Sequence, residues 1–430
     1  MLLRVLGLGV WLCLGALAED ALPRLLEQFR STPKNAALCD RIGIAYVRTG
    51  ELAAAEGFFR NALQLDPGLL SARKNLGTVL WFQNRRSESE LVFQRVAKSA
   101  PADPVANLYL GLAGYERKQF ERAAEHFKAA GTLASANPEV RPFLIETYLN
   151  SGRPGEAIRV LEPALANGQG DEKSWLQLGQ AYDRANRAQD AYRAFQKAIE
   201  LQPVSEEGYL LLADFAAAHG NRKFARETLH QAMRANPGSA TLTLQYGVQS
   251  ALEGDFEDAA RSFSAARQLA PQAAVPVLAL GVAQLQAGRL DEAAESFRAA
   301  SKLDGNDFRS PLLYATALGQ SSASGDQITK DRIKAALMRA IALSPRHPGA
   351  RVALAQQLVA EGRLDAARTE LKTALDLDST NTAALYQLAR VYQRQGKAAE
   401  AESTMQRFRQ AKAPAREEEN QLIQILKTVK

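Results

Sequence analysis

Residues 281–303 read GVAQLQAGRLDEAAESFRAASKL, and this stretch holds the pattern that decides the fold. Gly281 and Ala293 are small residues, and Phe297 is a large apolar residue between further alanines. Gly288 follows the first apolar run, where a residue that tolerates positive φ commonly closes a helix. The stretch therefore predicts the end of one helix, a turn, and a second helix that packs closely on the first.

The same pattern returns along the chain with a period of about 34 residues, a length typical of repeat architectures. Pro203, Pro237 and Pro271 each follow a helical segment and are separated by one period, and Pro67 lies four periods before Pro203. One insertion of six residues shifts the register near the C-terminal end. With that shift, eleven repeats start at residues 36, 70, 104, 138, 172, 206, 240, 274, 308, 348 and 382.

Four positions of the repeat carry residues of constant size. Positions 8, 20 and 27 are Gly, Ala or Ser in nearly all repeats, which lets two helices approach closely. Position 24 is large and apolar, and we expect its side chain to fill the space between one repeat and the next. Its residues are Phe59, Phe93, Phe127, Leu161, Phe195, Leu229, Phe263, Phe297, Leu337, Leu371 and Met405.

A unit of this length with helix A, a turn and helix B resembles the tetratricopeptide repeat. The resemblance covers nearly all of the chain after its first residues. It implies an all-α fold, an α–α superhelical solenoid of about eleven helix pairs with capping helices. We expect an N-terminal capping helix within residues 19–35, the repeats within residues 36–415, and a C-terminal capping helix within residues 416–430.

Two repeats depart from the pattern. The fourth contains Pro142, which the first turn of helix A tolerates, and Pro163, which should end or kink helix B. The ninth contains the six-residue insertion near residues 319–329, rich in Ser and Gly. We expect this insertion to lengthen the turn between helices A and B as a surface loop.

Residues 1–18 have the features of a secretory signal peptide. Arg4 precedes an apolar run from Leu6 to Leu14, and Ala16 and Ala18 form a small-x-small cleavage pattern. The run is shorter than the ~20 residues that span a bilayer, so we predict cleavage after Ala18 and no integral span afterwards. The alternative is an uncleaved anchor.

Export would place the protein in the periplasm or outside the cell. Cleavage removes Cys13 and leaves Cys39 as a single cysteine, so no intramolecular disulfide can form. The absence of any Asn-x-Ser/Thr sequon favours a bacterial envelope over a eukaryotic secretory route. We therefore predict an exported bacterial protein.

The sequence shows no pattern typical of catalysis. The four histidines lack helical metal-pair spacing, and no phosphate-binding glycine loop or nucleophile elbow is present. The net charge of +6 comes from basic residues interleaved with acidic ones, unlike a nucleic-acid-binding surface. We predict no catalytic, metal or cofactor site, no cofactor, no nucleic-acid partner and no enzymatic activity.

The resemblance implies that helix A lines a concave face and that positions 2, 5, 9, 12 and 13 point into it. Several of these positions are apolar here, which favours a groove for an amphipathic helix or extended peptide. The alternative is that the same side chains are buried against neighbouring repeats. The last repeat instead presents Tyr386 with two arginines, which would suit an acidic ligand. The predicted partner-binding residues are Trp81, Phe82, Leu108, Leu112, Tyr115, Val248, Leu252, Leu278, Val282, Arg390 and Arg394.

The predicted function is a protein–protein interaction scaffold that holds a peptide or protein segment in the groove of the solenoid. A second hypothesis is an accessory protein in export of envelope polysaccharide or in pilus assembly. A third hypothesis is an enzyme with an unrecognised site, which would need titratable groups converging in a cleft.

Overall fold

The computed structural model describes residues 21–166, 170–321 and 325–411 of the 430-residue chain. Their regular structure is helical, without strands, which confirms the all-α prediction. None of the helices in these residues is both long and apolar enough to cross a membrane. The predicted signal peptide and the predicted C-terminal capping helix lie outside the described residues.

The chain divides into two compact units, Met1–Leu201 and Gln202–Lys430. The helices of the first unit are α1 (Ala21–Ser31), α2 (Ala36–Arg48), α3 (Leu52–Leu65), α4 (Leu70–Phe82), α5 (Arg86–Ser99), α6 (Pro104–Glu116), α7 (Phe120–Ala130), α8 (Thr132–Ser135), α9 (Arg141–Asn150), α10 (Pro154–Leu165), α11 (Glu172–Arg184) and α12 (Ala188–Leu201). Those of the second are α13 (Glu206–Ala218), α14 (Arg222–Ala235), α15 (Ala240–Leu252), α16 (Phe256–Leu269), α17 (Ala274–Gln286), α18 (Leu290–Leu303), α19 (Arg309–Gln320), α20 (Gln327–Leu343), α21 (Pro348–Ala360), α22 (Leu364–Leu377), α23 (Thr382–Arg394) and α24 (Ala398–Ala411).

Within each unit the helices form stacked A and B pairs. Each A helix packs on the B helix that follows it, and each B helix packs on the A helix of the next repeat. Most A helices begin at a residue where the predicted register starts a repeat, because capping residues there hold the first turn. Asp103, Asp171, Ser239 and Asn381 accept hydrogen bonds from backbone N–H groups of α6, α11, α15 and α23.

The closest contact between helices A and B places an aromatic ring on a glycine. A β-carbon at Gly281 would lie 2.7 Å from a ring carbon of Phe297, which is closer than carbon atoms approach in proteins. Phe297 is fully buried. The same contact, with approaches of 2.5–2.8 Å, recurs in Gly43 with Phe59, Gly77 with Phe93, Gly111 with Phe127, Gly179 with Phe195, and Gly247 with Phe263.

The ring at position 24 therefore packs first on helix A of its own repeat. It also reaches the next repeat, as we expected from the sequence. The Phe93 ring stacks on the Tyr109 ring of the following A helix, with 4.7 Å between their centroids. One buried ring thus joins two helices of one repeat and the first helix of the next.

The residues at positions 8 and 24 are complementary in size along the chain. Every repeat with Phe at position 24 has Gly at position 8, and every repeat with Leu or Met there has a larger residue at position 8. Except in the fourth repeat, where both residues are large, the smaller partner compensates for the larger one, as close packing requires. The second kind of pair is Ile145 with Leu161, Ala213 with Leu229, Ala315 with Leu337, Ala355 with Leu371, and Ala389 with Met405.

Arginines in the turns connect successive repeats through ion pairs. Arg85, at position 16, lies 2.7 Å from Glu56 of the preceding B helix and 2.7 Å from Glu88 of its own. Arg289 makes the equivalent pair with Glu257 at 3.0 Å. Exposed pairs of this kind are weak, so they link neighbouring repeats while adding little to stability.

The proline-rich fourth repeat is shortened at both helices. The preceding B helix ends at Ala130, and Gly131 has a φ of +59° before the single turn α8. Helix α9 begins at Arg141, three residues after the predicted start of the repeat, with Pro142 in its first turn. Helix α10 continues through Pro163, where we expected it to end or kink. It ends at Leu165, two residues after the proline.

The insertion in the ninth repeat lengthens a helix as well as a turn. Helix α20 has 17 residues, whereas α18 has 14. Half of the six inserted residues thus extend the N-terminus of α20, and only the other half lengthen the turn. The Asp326 carboxylate caps this extension, because it accepts hydrogen bonds from the Thr329 N–H at 2.8 Å and from its hydroxyl at 2.6 Å.

The glycine–phenylalanine contact predicts coupled effects of substitution. We expect Gly281→Ala to lower the free energy of unfolding, because overpacking costs about 1–3 kcal/mol and exceeds the about 0.5–1 kcal/mol gained from helix propensity. Adding Phe297→Leu should recover part of the loss, because the pair then matches Ala355 with Leu371. Denaturant unfolding of the two single variants and the double variant measures this coupling.

Gly57 provides the matched control for this experiment. It lies inside α3, and a β-carbon there would meet no atom within 4 Å. Gly57→Ala should therefore stabilise the protein by about 0.5–1 kcal/mol through helix propensity alone. Strictly additive effects of Gly281→Ala and Phe297→Leu would show that the two positions are not coupled.

Candidate partner-binding surface

Most of the apolar residues predicted to line a groove are buried. Val282 has no exposed surface, and Leu112 and Val248 are each 4% exposed. The A helices of successive repeats contact one another: α4 contacts α6, and α17 contacts α19. This contact covers positions 5 and 9. The structure thus supports the alternative that neighbouring repeats bury these side chains. The buried members of the predicted set are Trp81, Leu108, Leu112, Val248, Leu278 and Val282.

Trp81 belongs to an aromatic cluster that links the second and third repeats. Its ring meets the Tyr109 ring edge-on, with 5.4 Å between centroids, and the Arg86 guanidinium lies 3.9 Å above its face. Burial raises the pKa of Tyr109, whose hydroxyl is hydrogen-bonded to Thr78. Trp81 is therefore held in the core of the first unit and offers no face to a partner.

Three of the predicted residues are half-buried. Tyr115 donates a hydrogen bond to the Glu146 carboxylate at 2.6 Å, and its ring packs on Phe143. Burial, together with this carboxylate, raises the pKa of Tyr115 to about 12. Phe82 and Leu252 retain partial exposure, Leu252 at the edge of the core that surrounds Phe297.

The exposed members of the predicted set are Arg390 and Arg394. Both lie on α23 with Tyr386, at intervals of four residues, so the three side chains share one face of the helix. The Arg390 guanidinium lies 5.8 Å from the centre of the Tyr386 ring, and Arg394 donates to the Val359 carbonyl at 3.4 Å. Tyr386 is 41% exposed and is supported from behind by Phe408. We call Tyr386, Arg390 and Arg394 the α23 surface.

Polar groups on the first A helices are paired within the protein. The Asn75 amide donates to the Asp40 carboxylate at 2.9 Å in the interior between α2 and α4. Lys74 forms an ion pair with Asp103 at 2.8 Å. Asp103 is also the N-cap of α6. Lys74 is therefore engaged in a contact that positions the next repeat, whereas the cations of the α23 surface pair with no carboxylate among the described residues.

Sequence reasoning missed two hollows on the B-helix side of the second unit. One, of about 790 Å³, lies among α16, α17 and α18, and the other, of about 360 Å³, lies among α18, α19 and α20. The charged residues that line the first are of both signs, whereas those that line the second are all cations. The signal in the sequence was Arg332, at position 19 of the ninth repeat, where six other repeats have Asp or Glu.

Groups that could support metal chemistry do not converge in the described part of the chain. Among residues 21–166, 170–321 and 325–411, no three His, Cys, Asp or Glu side chains are placed to hold a metal ion. His126 lies 2.9 Å from the Asn107 amide oxygen, and His347 packs on the Phe308 ring. These histidines serve contacts between helices.

Comparison with known proteins identifies the repeat. Three family models, each described as Tetratricopeptide repeat, match residues 36–69, 74–138, 115–181, 172–205, 251–315 and 358–416. Together these matches cover well over half of the chain.

Individual relatives are more distant. Anaphase-promoting complex subunit 6 of Arabidopsis thaliana is 23% identical over 194 residues, which are 44% of this chain and only 36% of that protein. The crystal structure of yeast Tom70 is 16% identical, covers 92% of this chain and 95% of its own, and has a TM-score of 0.42. That of YrrB, titled a TPR protein with an unusual peptide-binding site, is 18% identical over 45% of this chain and 97% of its own, with a TM-score of 0.38. The chain belongs to the tetratricopeptide repeat family, whose stacked helix pairs serve as protein-interaction scaffolds.

Proposed function

We propose that this protein is an exported interaction scaffold that binds a segment of a partner protein on the α23 surface. The observation that supports the site is the exposure of Tyr386, Arg390 and Arg394 on one face of an A helix. Tyrosine and arginine are enriched among the few residues that carry most of the binding energy at protein interfaces. The other predicted residues are buried or half-buried.

The chemistry of the α23 surface indicates its partner. Within the described residues, neither Arg390 nor Arg394 forms an ion pair with a carboxylate. An arginine guanidinium binds a carboxylate through two parallel hydrogen bonds. The Tyr386 ring beside them provides an apolar face. The expected partner segment therefore combines an apolar side chain with one or two acidic side chains.

Export rests on the sequence of residues 1–18. A positively charged start, a short apolar run and a small-x-small pattern are the parts of a cleavable signal. A scaffold in the bacterial envelope works without a disulfide when its core is large, and the stacked repeats supply such a core. We therefore propose a periplasmic or secreted protein.

A photo-crosslinking experiment tests the α23 surface. A benzophenone amino acid at position 386 in the native host should yield a discrete crosslinked protein, because the side chain would lie in the interface. Introducing Arg390→Glu and Arg394→Glu in the same chain should abolish that product, since the acidic segment would then be repelled. Gel shift and mass spectrometry identify the product.

The control is the same photoreactive residue at position 377. Leu377 is 41% exposed, as Tyr386 is, but it ends a B helix. It should give no discrete product. Equal products from both positions, or a product at 386 that survives the charge reversal, would contradict the proposed site.

The export proposal predicts a shortened N-terminus. We expect the native protein to begin at Glu19, because cleavage follows Ala18. N-terminal sequencing of protein purified from the envelope fraction measures this directly. Native protein that retains residues 1–18, or that stays with the cytoplasmic fraction, would overturn the proposal.

A further inference from the structure

The charged residues that line the smaller hollow in the second unit are all basic. It measures about 360 Å³ and lies among α18, α19 and α20. Arg298 and Lys302 line it from α18, and Arg332 and Arg339 line it from α20. All four side chains belong to exposed residues. We call these four residues and the space between them the basic hollow.

The corresponding hollow one repeat earlier shows that this charge is not a general property of the fold. It lies among α16, α17 and α18, and its charged lining consists of three arginines and three acidic residues. Two of its three arginines also form ion pairs with carboxylates. Arg289 lies 2.6 Å from Glu292, and Arg261 lies 3.0 Å from Asp258. The equivalent hollow is therefore neutral among α16, α17 and α18 and cationic among α18, α19 and α20.

Among the four cations of the basic hollow, Arg298 alone forms an ion pair with a carboxylate of the described residues. Arg298 pairs with Glu295 at 2.6 Å, but both side chains are largely exposed to solvent, where such pairs are weak. The Asp326 carboxylate is engaged in capping α20 through Thr329. Asp331 accepts a hydrogen bond from the Gln327 amide.

The remaining cations have no carboxylate partner in the part of the chain that the structure describes. Arg339 makes only a long contact, 3.4 Å, with the Gly305 carbonyl oxygen. Arg332 and Lys302 form no ion pair with any described residue. The charge of Arg332 acts on Asp326 at a longer range: hydrogen bonds from Thr329 and, more weakly, this charge lower the pKa of the Asp326 carboxyl.

The spacing of the cations indicates the shape of the ligand. At ~1.5 Å per residue, Arg332 and Arg339 are separated by about 10 Å along α20, and Arg298 and Lys302 by about 6 Å along α18. Cations spread over this length can contact several anionic groups at once. In an extended peptide, side chains on one face recur every ~6.6–6.8 Å, which suits this row of charges.

The floor of the basic hollow is partly apolar. Pro311 and Ala336 are buried there, and the half-buried Tyr314 lies between the two rows of cations. Such a floor accommodates the backbone and the methylene groups of acidic side chains, while the carboxylates reach the guanidinium groups at the rim.

We propose that the basic hollow binds an extended acidic segment of a protein, with Asp or Glu at alternate positions. This inference rests on the scaffold function proposed above and adds a second contact site, formed by B helices instead of the A helix of the α23 surface.

Peptide binding to the full chain tests this inference. The probe is a fluorescent peptide in which glutamate alternates with serine, and its partner probe has glutamine in place of each glutamate. Fluorescence anisotropy should show binding of the first and none of the second. The binding should weaken with added salt, because the contacts are exposed charges. Arg332→Glu with Arg339→Glu should weaken it by about tenfold or more, since each change both removes an attraction and adds a repulsion.

The matched control is Arg261→Glu with Arg267→Glu at the neutral hollow, which makes the same change in net charge. This variant should keep the affinity of the unmodified chain. All four positions are exposed, so thermal unfolding followed by circular dichroism should show that both variants remain folded. An equal loss of affinity in both variants, or no loss in the Arg332 and Arg339 variant, would overturn the inference.

Two further arms separate this inference from the proposed function. If Arg390→Glu with Arg394→Glu alone abolishes peptide binding, the acidic segment binds the α23 surface and the basic hollow is not its site. Inorganic phosphate and unlabelled peptide are also compared as competitors of the fluorescent peptide. If phosphate displaces it at the same concentration as the unlabelled peptide does, a single anion suffices and the extended-segment inference fails. A loss of affinity that is confined to the Arg332 and Arg339 variant supports the basic hollow as the binding site. That conclusion holds even if crosslinking at position 386 fails.

Discussion

The packing of a phenylalanine ring on a glycine of the facing helix is the constraint on which each repeat depends. At Gly281 there is no room for even one more carbon atom beside Phe297. This contact sets the separation of helices A and B. It also determines how far the ring extends toward the next repeat, as the stacking of Phe93 on Tyr109 shows. Where the ring is replaced by an aliphatic side chain, position 8 grows to fill the space, so the separation is kept by a different pair of residues.

Close packing of this kind leaves little apolar surface for function. The A helices of neighbouring repeats touch, so Val248 and Val282 pack in the core even though the family pattern would turn position 9 toward a partner. Partner recognition must then depend on the side chains that are not buried in the core. In the second unit these include many arginines, and the effect of each depends on whether a neighbouring turn supplies a carboxylate. Arg289 has one in Glu292, whereas Arg332 occupies the position from which such a carboxylate would come.

The sequence predicted the helices well because their determinants are local. The repeat period, the small residues at positions 8, 20 and 27, and N-caps such as Asp103 all act within one repeat. Exposure was harder to predict. Whether Leu112 faces solvent depends on how closely two A helices approach, and those helices lie a full repeat apart in the chain. The basic hollow was missed for a related reason, since Arg298 and Arg332 meet only when two B helices flank the same A helix. Of the predicted binding residues, Arg390 and Arg394 are the two that the structure leaves exposed.

The matched pairs at positions 8 and 24 divide the repeats into two kinds that cannot exchange single helices. A gene that recombined between these positions could join an alanine-bearing helix A to a phenylalanine-bearing helix B, and the product would be overpacked. The reciprocal product would join glycine to leucine and would leave a void. Exchange at the boundaries between repeats avoids both outcomes, because each pair then travels together. The array can therefore lengthen or shuffle by whole repeats, while the interior of each repeat changes only through two compensating substitutions.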